Sequence, residues 1–328
     1  MSSAGTPGLV SVVVASYNHA RFLERRMDSL ISQTYQELEI IVIDDCSPDN
    51  SVEILRRYAD HPRVELIVRE RNGGWVAVSN QGVELATGEF VIFANCDDAC
   101  DVRMIERLVA ALRANPSAGI AFCRSRLVDA ADRVLGDDRE IQQPRFQARC
   151  ASDTLVTGTE MSQLLLYGCV ISNLSAALFR KACLVESGNL TSDYRACSDW
   201  DLFFRIAQRS DIAYVAEPLN LFRQHETTIR SRMKERETYQ EYFRVLLSHA
   251  ATLKLSASER ARFRTHIMFL WAVHLLSPSL RGLMDLPYHL RLLLRLDPLS
   301  LAFLPAGVAL RCGNIGRKIW RRIGRKSL

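Results

Sequence analysis

FVIFANCDD, residues 90–98, is the stretch whose reading decides the fold. A short apolar run rich in β-branched and aromatic residues stops on an amide and two carboxylates. Such a run reads as a buried strand. In open parallel sheets ligands bind just beyond the carboxyl ends of the strands, where these acids fall. The same pattern recurs upstream in LVSVVVA (9–15), LEIIVI (38–43) and VELIV (64–68), and a fifth run follows at 119–123. Between the runs the apolar spacing turns helical. Phe22, Leu23, Met27, Leu30 and Ile31 share one face over 21–33. Val52 to Tyr58 makes a second helix with Asn50 as its cap and Glu53 three residues on. Val76–Leu85 and Val102–Ala114 make two more, the last ended by Asn115-Pro116. Strand–helix alternation of this kind predicts an α/β fold, a mostly parallel sheet flanked by helices.

Beyond that core the pattern changes. Residues 131–156 read as loop-rich, and a further α/β stretch covers 157–222 with a strand at 174–179 and a helix after Trp200. Residues 236–276 read as long helix, and 280–310 are Leu-rich but interrupted by Pro287, Pro298 and Pro305. The expected division is a catalytic-type domain over 1–228, a helical extension over 229–310 and a tail over 311–328. The chain has 328 residues and net charge +5, of which the acid-free tail supplies +7, leaving +5 − 7 = −2 for the rest. A nucleic-acid binder would spread basic residues over a working face, so that class is excluded. Nine cysteines without CxxC spacing argue against a disulfide framework, and the N-terminus lacks a basic segment ahead of its first apolar run. Both point to a reducing cytoplasm. In the tail, Ile315, Ile319, Trp320 and Ile323 form an apolar stripe among basic residues, the pattern of a helix that lies on an anionic membrane surface.

The residues after each strand carry the chemistry. They are Ser16, Tyr17 and Asn18 after the first, Asp44 and Asp45 after the second, Asn72-Gly73-Gly74 after the third, and Asp97-Asp98 after the fourth. Paired carboxylates at two neighbouring strand ends repel unless a cation joins them, and oxygen ligands suit Mg2+ or Mn2+. Asp49 reads instead as a cap residue. The first turn, Ala15-Ser16-Tyr17-Asn18-His19, has no glycine, which excludes a GxGxxG dinucleotide site, and no GxxxxGK[ST] loop is present. Gly73-Gly74 is a plain turn or a place where a diphosphate approaches the backbone closely.

Four segments, SVVVASYN (11–18), SLISQTYQELEIIVIDDCSPDNS (29–51), RNGGWVAVSNQGVELATGEFVIFANCDD (71–98) and SDWDLFFRIA (198–207), together resemble glycosyltransferase family 2 in consistent order across 9–225. The resemblance implies a GT-A fold and an inverting, non-processive transfer from a nucleotide-diphosphate sugar to a saccharide or lipid-linked acceptor. It implies that Tyr17 and the backbone at Ala15 line the nucleobase, that Asp45 bonds the uracil edge, and that Gly74 and Asp97 face the donor. It makes Asp98 the preferred metal ligand, brings His225 of FRQH (222–225) near the diphosphate and metal, and makes Asp199 the general base. Three positions depart from the family pattern. Ala15 stands where Thr is usual, Asn95 where an acid is usual, and Ser198 where Glu is usual. The QxxRW element of processive synthases is not visible. Two other readings stay open: a nucleotidyltransferase, and a non-catalytic sugar-nucleotide-binding subunit, which the Asn95 and Ser198 departures would suit.

Overall fold

The computed structural model describes residues 5–140, 142–226, 235–275 and 286–312. The chain divides into two compact units between Thr228 and Ile229.

The first unit is built on a ten-stranded sheet. Strands β1 (Thr6–Ser16), β2 (Leu38–Asp44), β3 (Val64–Val68) and β4 (Gly88–Phe93) lie in the order β3-β2-β1-β4, all parallel. The runs that alternate with helices thus form one block, as the sequence pattern requires. β1 separates β2 from β4. The two acidic strand ends are therefore not neighbours, contrary to the expectation from sequence. Next come β9 (Ala177–Arg180), antiparallel to both β4 and β6 (Ala118–Val128), and then β10 (Asp211–Arg223), parallel to β6. The short β5 (Ala99–Cys100) and β8 (Thr154–Val156) pair with β10, and β7 (Val134–Asp137) pairs with β6. Residues 131–156, expected to be loop-rich, hold β7, β8 and the short helix α5 (Pro144–Arg149), each only a few residues long. The expected strand at 174–179 begins as a 3₁₀ turn, Leu174–Ala176, and becomes a strand only at Ala177.

Both faces of the sheet are covered. Val10, Val12 and Val14 of β1 pack into one apolar cluster with Leu23, Met27 and Leu30 of α1 (Ala20–Ile31), Leu55 of α2 (Ser51–Arg56) and Leu108 of α4 (Met104–Ala114). Val13 points the other way, as period-two alternation demands, and meets α3 (Trp75–Leu85) at Gly82. On that second face Phe179 stacks on Phe203 of α8 (Ser198–Ala207) at 6.3 Å. The last turn of α8 sits at the start of β6, where Ile206 and Ser210 crowd Gly119. Its first turn is about 15 Å away, towards the carboxyl edge of the sheet. Two helices complete the unit, α6 (Gly158–Leu165) and α7 (Lys181–Glu186).

The long strand β10 was not anticipated as such, because Pro218 interrupts its pattern. Its pairing with β6 shifts register on both sides of Pro218. Proline lacks the N–H that a ladder needs, and a bulge accommodates it. Above the bulge the strand runs on to Arg223, opposite Val128.

The second unit is helical. The expected single helix over 236–276 is broken into α9 (Glu235–Thr252) and α10 (Ala257–Leu275), with Ser256 exchanging hydrogen bonds with Glu259 at the start of α10. Then come α11 (Leu286–Leu296), a 3₁₀ segment (Pro298–Phe303) and helix at 304–312. Among the described residues no single helix is long and apolar enough to cross a membrane, although Leu286–Leu296 and Pro298–Cys312, bent by 118°, pass that test as a pair. Of the basic tail, residues 313–328 lie outside the described residues, so the amphipathic stripe expected there does too.

α3 lies close against β1 at Gly82. A Cβ on Gly82 would stand 2.2 Å from Val13 Cγ1. Gly82→Val should therefore destabilise the protein by about 1–3 kcal/mol through overpacking, read as a lower urea midpoint at unchanged slope. An unchanged midpoint would show that the sheet and helix separate freely there.

Candidate active site at the carboxyl edge of the sheet

Asp44 ends β2 and Asp45 follows it, and donors of the protein itself meet both carboxylates. Asp44 accepts from Ser16 Oγ (3.0 Å), Ser47 N (2.8 Å) and Ser47 Oγ (2.6 Å). Asp45, 2% exposed, accepts from Arg69 Nη1 (2.7 Å) and from the backbone N–H groups of Gly73 (2.9 Å) and Gly74 (2.8 Å). A carboxylate offers about four acceptor positions, and Arg69 and this turn occupy most of those on Asp45. The expected bond from Asp45 to a uracil edge is thus replaced by a tie that shapes the loop. Gly74 has φ +84°, a conformation that favours glycine, and its carbonyl starts α3. Asp49 behaves as the cap the sequence indicates, accepting from Ala20 N (3.0 Å) and Ser51 N (3.1 Å), while Asn50 makes no side-chain cap bond.

The acids after β4 divide sharply. Asp98 is 1% exposed. It accepts from Asn173 Nδ2 (2.7 Å), Ser175 Oγ (2.7 Å) and Arg223 N (2.9 Å). Asn173 in turn accepts from Asn220, which also donates to Ser125 Oγ at 2.9 Å. Burial and the neighbouring charge of Asp97 push the Asp98 carboxyl up to about 7, against the opposing effects of Arg26, Arg223 N and Ser175. The expectation that Asp98 is the preferred metal ligand is therefore at odds with the geometry, because its lone pairs point into the protein.

Asp97 faces the edge instead. Its Oδ2 lies 3.0 Å from His225 Nε2. Burial works to raise its pKa, but the bond from His225 and the charges of His19 and His225 outweigh it and hold the carboxyl below the ordinary range. His19, Asp97 and His225 offer ligand atoms that all lie within 4.8 Å of one another, a spacing that could hold a metal ion. β10 brings His225 there. Arg223, two residues earlier, donates through Nε to Asp97 O (2.7 Å) and through Nη1 to Asp129 O (2.7 Å), pairs with Asp132, and lies 4.7 Å from the Phe22 ring centre. Tyr17, 41% exposed, stands beside this group and its carbonyl oxygen lies 2.7 Å from His19 Nδ1. Ala15, at the end of β1, is half-buried. Asp199 is in the first turn of α8, half-buried, and its Oδ1 accepts from Trp200 N at 2.7 Å.

Two residues went unnoticed at the level of sequence. His19 follows the first strand directly, where position alone was signal enough. Arg26 shares the apolar face of α1 with Leu23, Met27 and Leu30, an anomaly visible in the helical spacing. It is fully buried, and its guanidinium nitrogens have no hydrogen-bond partner among the described residues.

Comparison with known proteins places the fold in a family. Residues 11–157 match the model of "Glycosyl transferase family 2". They form a glycosyltransferase family 2 domain. The uncharacterized glycosyltransferase YibD of Escherichia coli K12 is 43% identical over 152 residues, 46% of this chain and 42% of YibD. The chain thus spans less than half the length of that curated relative. Among solved structures, S. aureus TarS 1-349 in complex with UDP-GlcNAc superposes with TM-score 0.68 at 18% identity, covering 93% of this chain and 89% of that one. The mannosyltransferase PcManGT of Pyrobaculum calidifontis, in complex with GDP-Man and Mn2+, superposes with TM-score 0.53 at 19% identity over 92% of this chain and 86% of that one. At such identities the likeness establishes the GT-A fold.

The split between the two acids has a direct consequence. Asp98→Asn turns a donor towards Asn173 Nδ2 or Arg223 N and should cost about 1–3 kcal/mol of stability, measured by thermal melting in chelator. Asp97→Asn should cost clearly less. Equal melting points for wild type and Asp98→Asn would refute the internal role of Asp98.

Proposed function

We propose that the protein is an inverting glycosyltransferase that moves a sugar from a nucleotide-diphosphate sugar, UDP-linked, to an acceptor hydroxyl. The observation that carries this reading is the convergence of Asp97, His225 and His19 at the sheet edge, with Tyr17 holding His19 through its carbonyl oxygen. Tyr17 stacks on the nucleobase, with the Ala15 backbone alongside. Asp45 acts through the loop it ties, presenting Arg69, Gly73 and Gly74 to the nucleotide. Asp97 and His225 fit a divalent ion, Mg2+ or Mn2+, which would take the place of the proton now shared between His225 Nε2 and Asp97 Oδ2. When bound there, such an ion supplies positive charge to the departing diphosphate. Asp199 takes the proton of the acceptor hydroxyl, whose oxygen then forms the new bond from the face opposite the nucleotide, so the anomeric configuration inverts. Support for a sugar-nucleotide donor comes from the UDP-GlcNAc and GDP-Man complexes of the two structural neighbours.

The second unit suits work at a membrane on the cytoplasmic side. Leu294, Leu299 and Leu310 are exposed, as are Arg291 and Arg295. The one acid in 286–328, Asp297, is bound by Arg264 Nη2 at 2.7 Å. Apolar and basic groups together match an anionic lipid surface, where each basic residue contributes about 1 kcal/mol. A saccharide on a lipid carrier, used in bacterial surface polysaccharide or glycolipid synthesis, is the acceptor this location favours.

Release of nucleoside diphosphate from a panel of UDP- and GDP-sugars tests the assignment and separates an enzyme from a binding subunit. Asp199→Asn should keep donor affinity while kcat falls by about 10²–10⁴; a wild-type kcat would place the base elsewhere. For the membrane contact, the full chain should co-sediment with anionic vesicles at low salt, and a chain ending at Leu310 should bind more weakly. Equal binding by both would remove 311–328 from the contact.

A further inference from the structure

We infer that His19 is a third ligand of the divalent ion, and that the resulting set of two imidazoles and one carboxylate selects a first-row transition ion such as Mn2+ over Mg2+. The inference rests on the glycosyltransferase reading for the presence of the ion, and on His19 alone for its selectivity.

The tautomer of His19 follows from its neighbour. Its Nδ1 lies 2.7 Å from the carbonyl oxygen of Tyr17. A carbonyl only accepts, so the proton sits on Nδ1 and the lone pair on Nε2. That Nε2 is out of solvent and has no hydrogen-bond partner among the described residues. A buried polar atom left so costs about 1–3 kcal/mol. A backbone carbonyl that fixes the ring of a metal-binding histidine through its other nitrogen is a recurrent arrangement.

The spacing fits an ion. Ligands about 2.1 Å from an octahedral ion stand about 3.0 Å apart when adjacent and about 4.2 Å when opposite. His225 Nε2 and Asp97 Oδ2 are 3.0 Å apart, and all three ligand atoms lie within 4.8 Å of one another; an ion there would displace the proton that His225 shares with Asp97. The rings are held from outside. Those of His19 and His225 meet edge-on at 5.5 Å between centres, and Phe22 backs both, at 6.2 and 5.0 Å. Arg223 packs on Phe22 from behind. Asn18, with φ +56°, makes the turn that swings His19 towards the site.

Two nitrogen donors decide the ion. Mg2+ prefers oxygen ligands and gives up its water reluctantly, whereas imidazole suits transition metals. An octahedral ion with three protein ligands keeps three positions for diphosphate oxygens and water.

The test uses the full chain with UDP, titrated with Mn2+ and separately with Mg2+. Free Mn2+ is followed by its electron paramagnetic resonance, and imidazole nitrogen couplings are read by pulsed measurement on the bound ion. Wild type should bind Mn2+ about 10-fold or more tightly than Mg2+, with couplings from two imidazoles. His19→Ala should lose most of that preference and one set of couplings. His19→Asn can keep a donor to Tyr17 O while removing Nε2, so it should behave like His19→Ala even if the alanine variant folds poorly. Two sets of couplings or unchanged Mn2+ affinity in His19→Asn would overturn the inference and leave the glycosyltransferase reading intact. A wild type that binds neither Mn2+ nor UDP would overturn both.

Discussion

The buried carboxylate of Asp98 is the constraint on which this site is built. A charge removed from water must be met by donors inside the protein. The donors come from Asn173 and Ser175, ahead of β9, and from the backbone of Arg223 at the end of β10, 125 residues along the chain from Asp98. Satisfying one carboxylate therefore fixes the meeting point of β4, the 3₁₀ turn before β9, and β10. The Asn173–Asn220–Ser125 chain beneath extends that tie into β6.

From that anchor the functional group is displaced by one residue. Asp97 is turned outward because Asp98 is turned inward, and β10, having donated from Arg223 N, delivers His225 to Asp97 two residues later. Arg223 serves both ends of this arrangement. Its backbone meets Asp98, and its side chain braces the carbonyls of Asp97 and Asp129. On the other side of the edge, Asp45 does for the Gly73-Gly74 turn what Asp98 does for β10. It gathers backbone N–H groups and one arginine into a fixed loop. Of four acids that look alike in the sequence, three hold the scaffold and one faces outward.

This division of labour bears on the Asn95 departure. An acid at 95 would add a third charge beside Asp97 and Asp98. Here the Asn95 side chain donates through Nδ2 to Asp98 Oδ2 at 3.4 Å, where an acid could only repel. Beside Asp97 stand imidazoles and not a further carboxylate, a change in donor chemistry as well as in charge.

The α/β alternation, the succession of the first four strands and helices along the chain, and the edge where polar side chains gather were legible in the sequence, because each rests on local periodicity and on residues next to strand ends. Asp49 as a cap, Tyr17 at the edge and the proximity of His225 to the acidic pair could be read the same way or from the family resemblance. Which acid of a pair faces outward could not. Asp97 and Asp98 differ in the donors that reach them, and the shortest bonds to Asp98 come from segments more than 70 residues away. Nor could the separation of β2 from β4 by β1 be read locally, since strand order is set by packing across the sheet. Local periodicity specifies the elements and the edge on which polar groups gather. The tertiary structure alone decided the partner of each carboxylate, because burying a charge is resolved by whichever donors the fold brings to it.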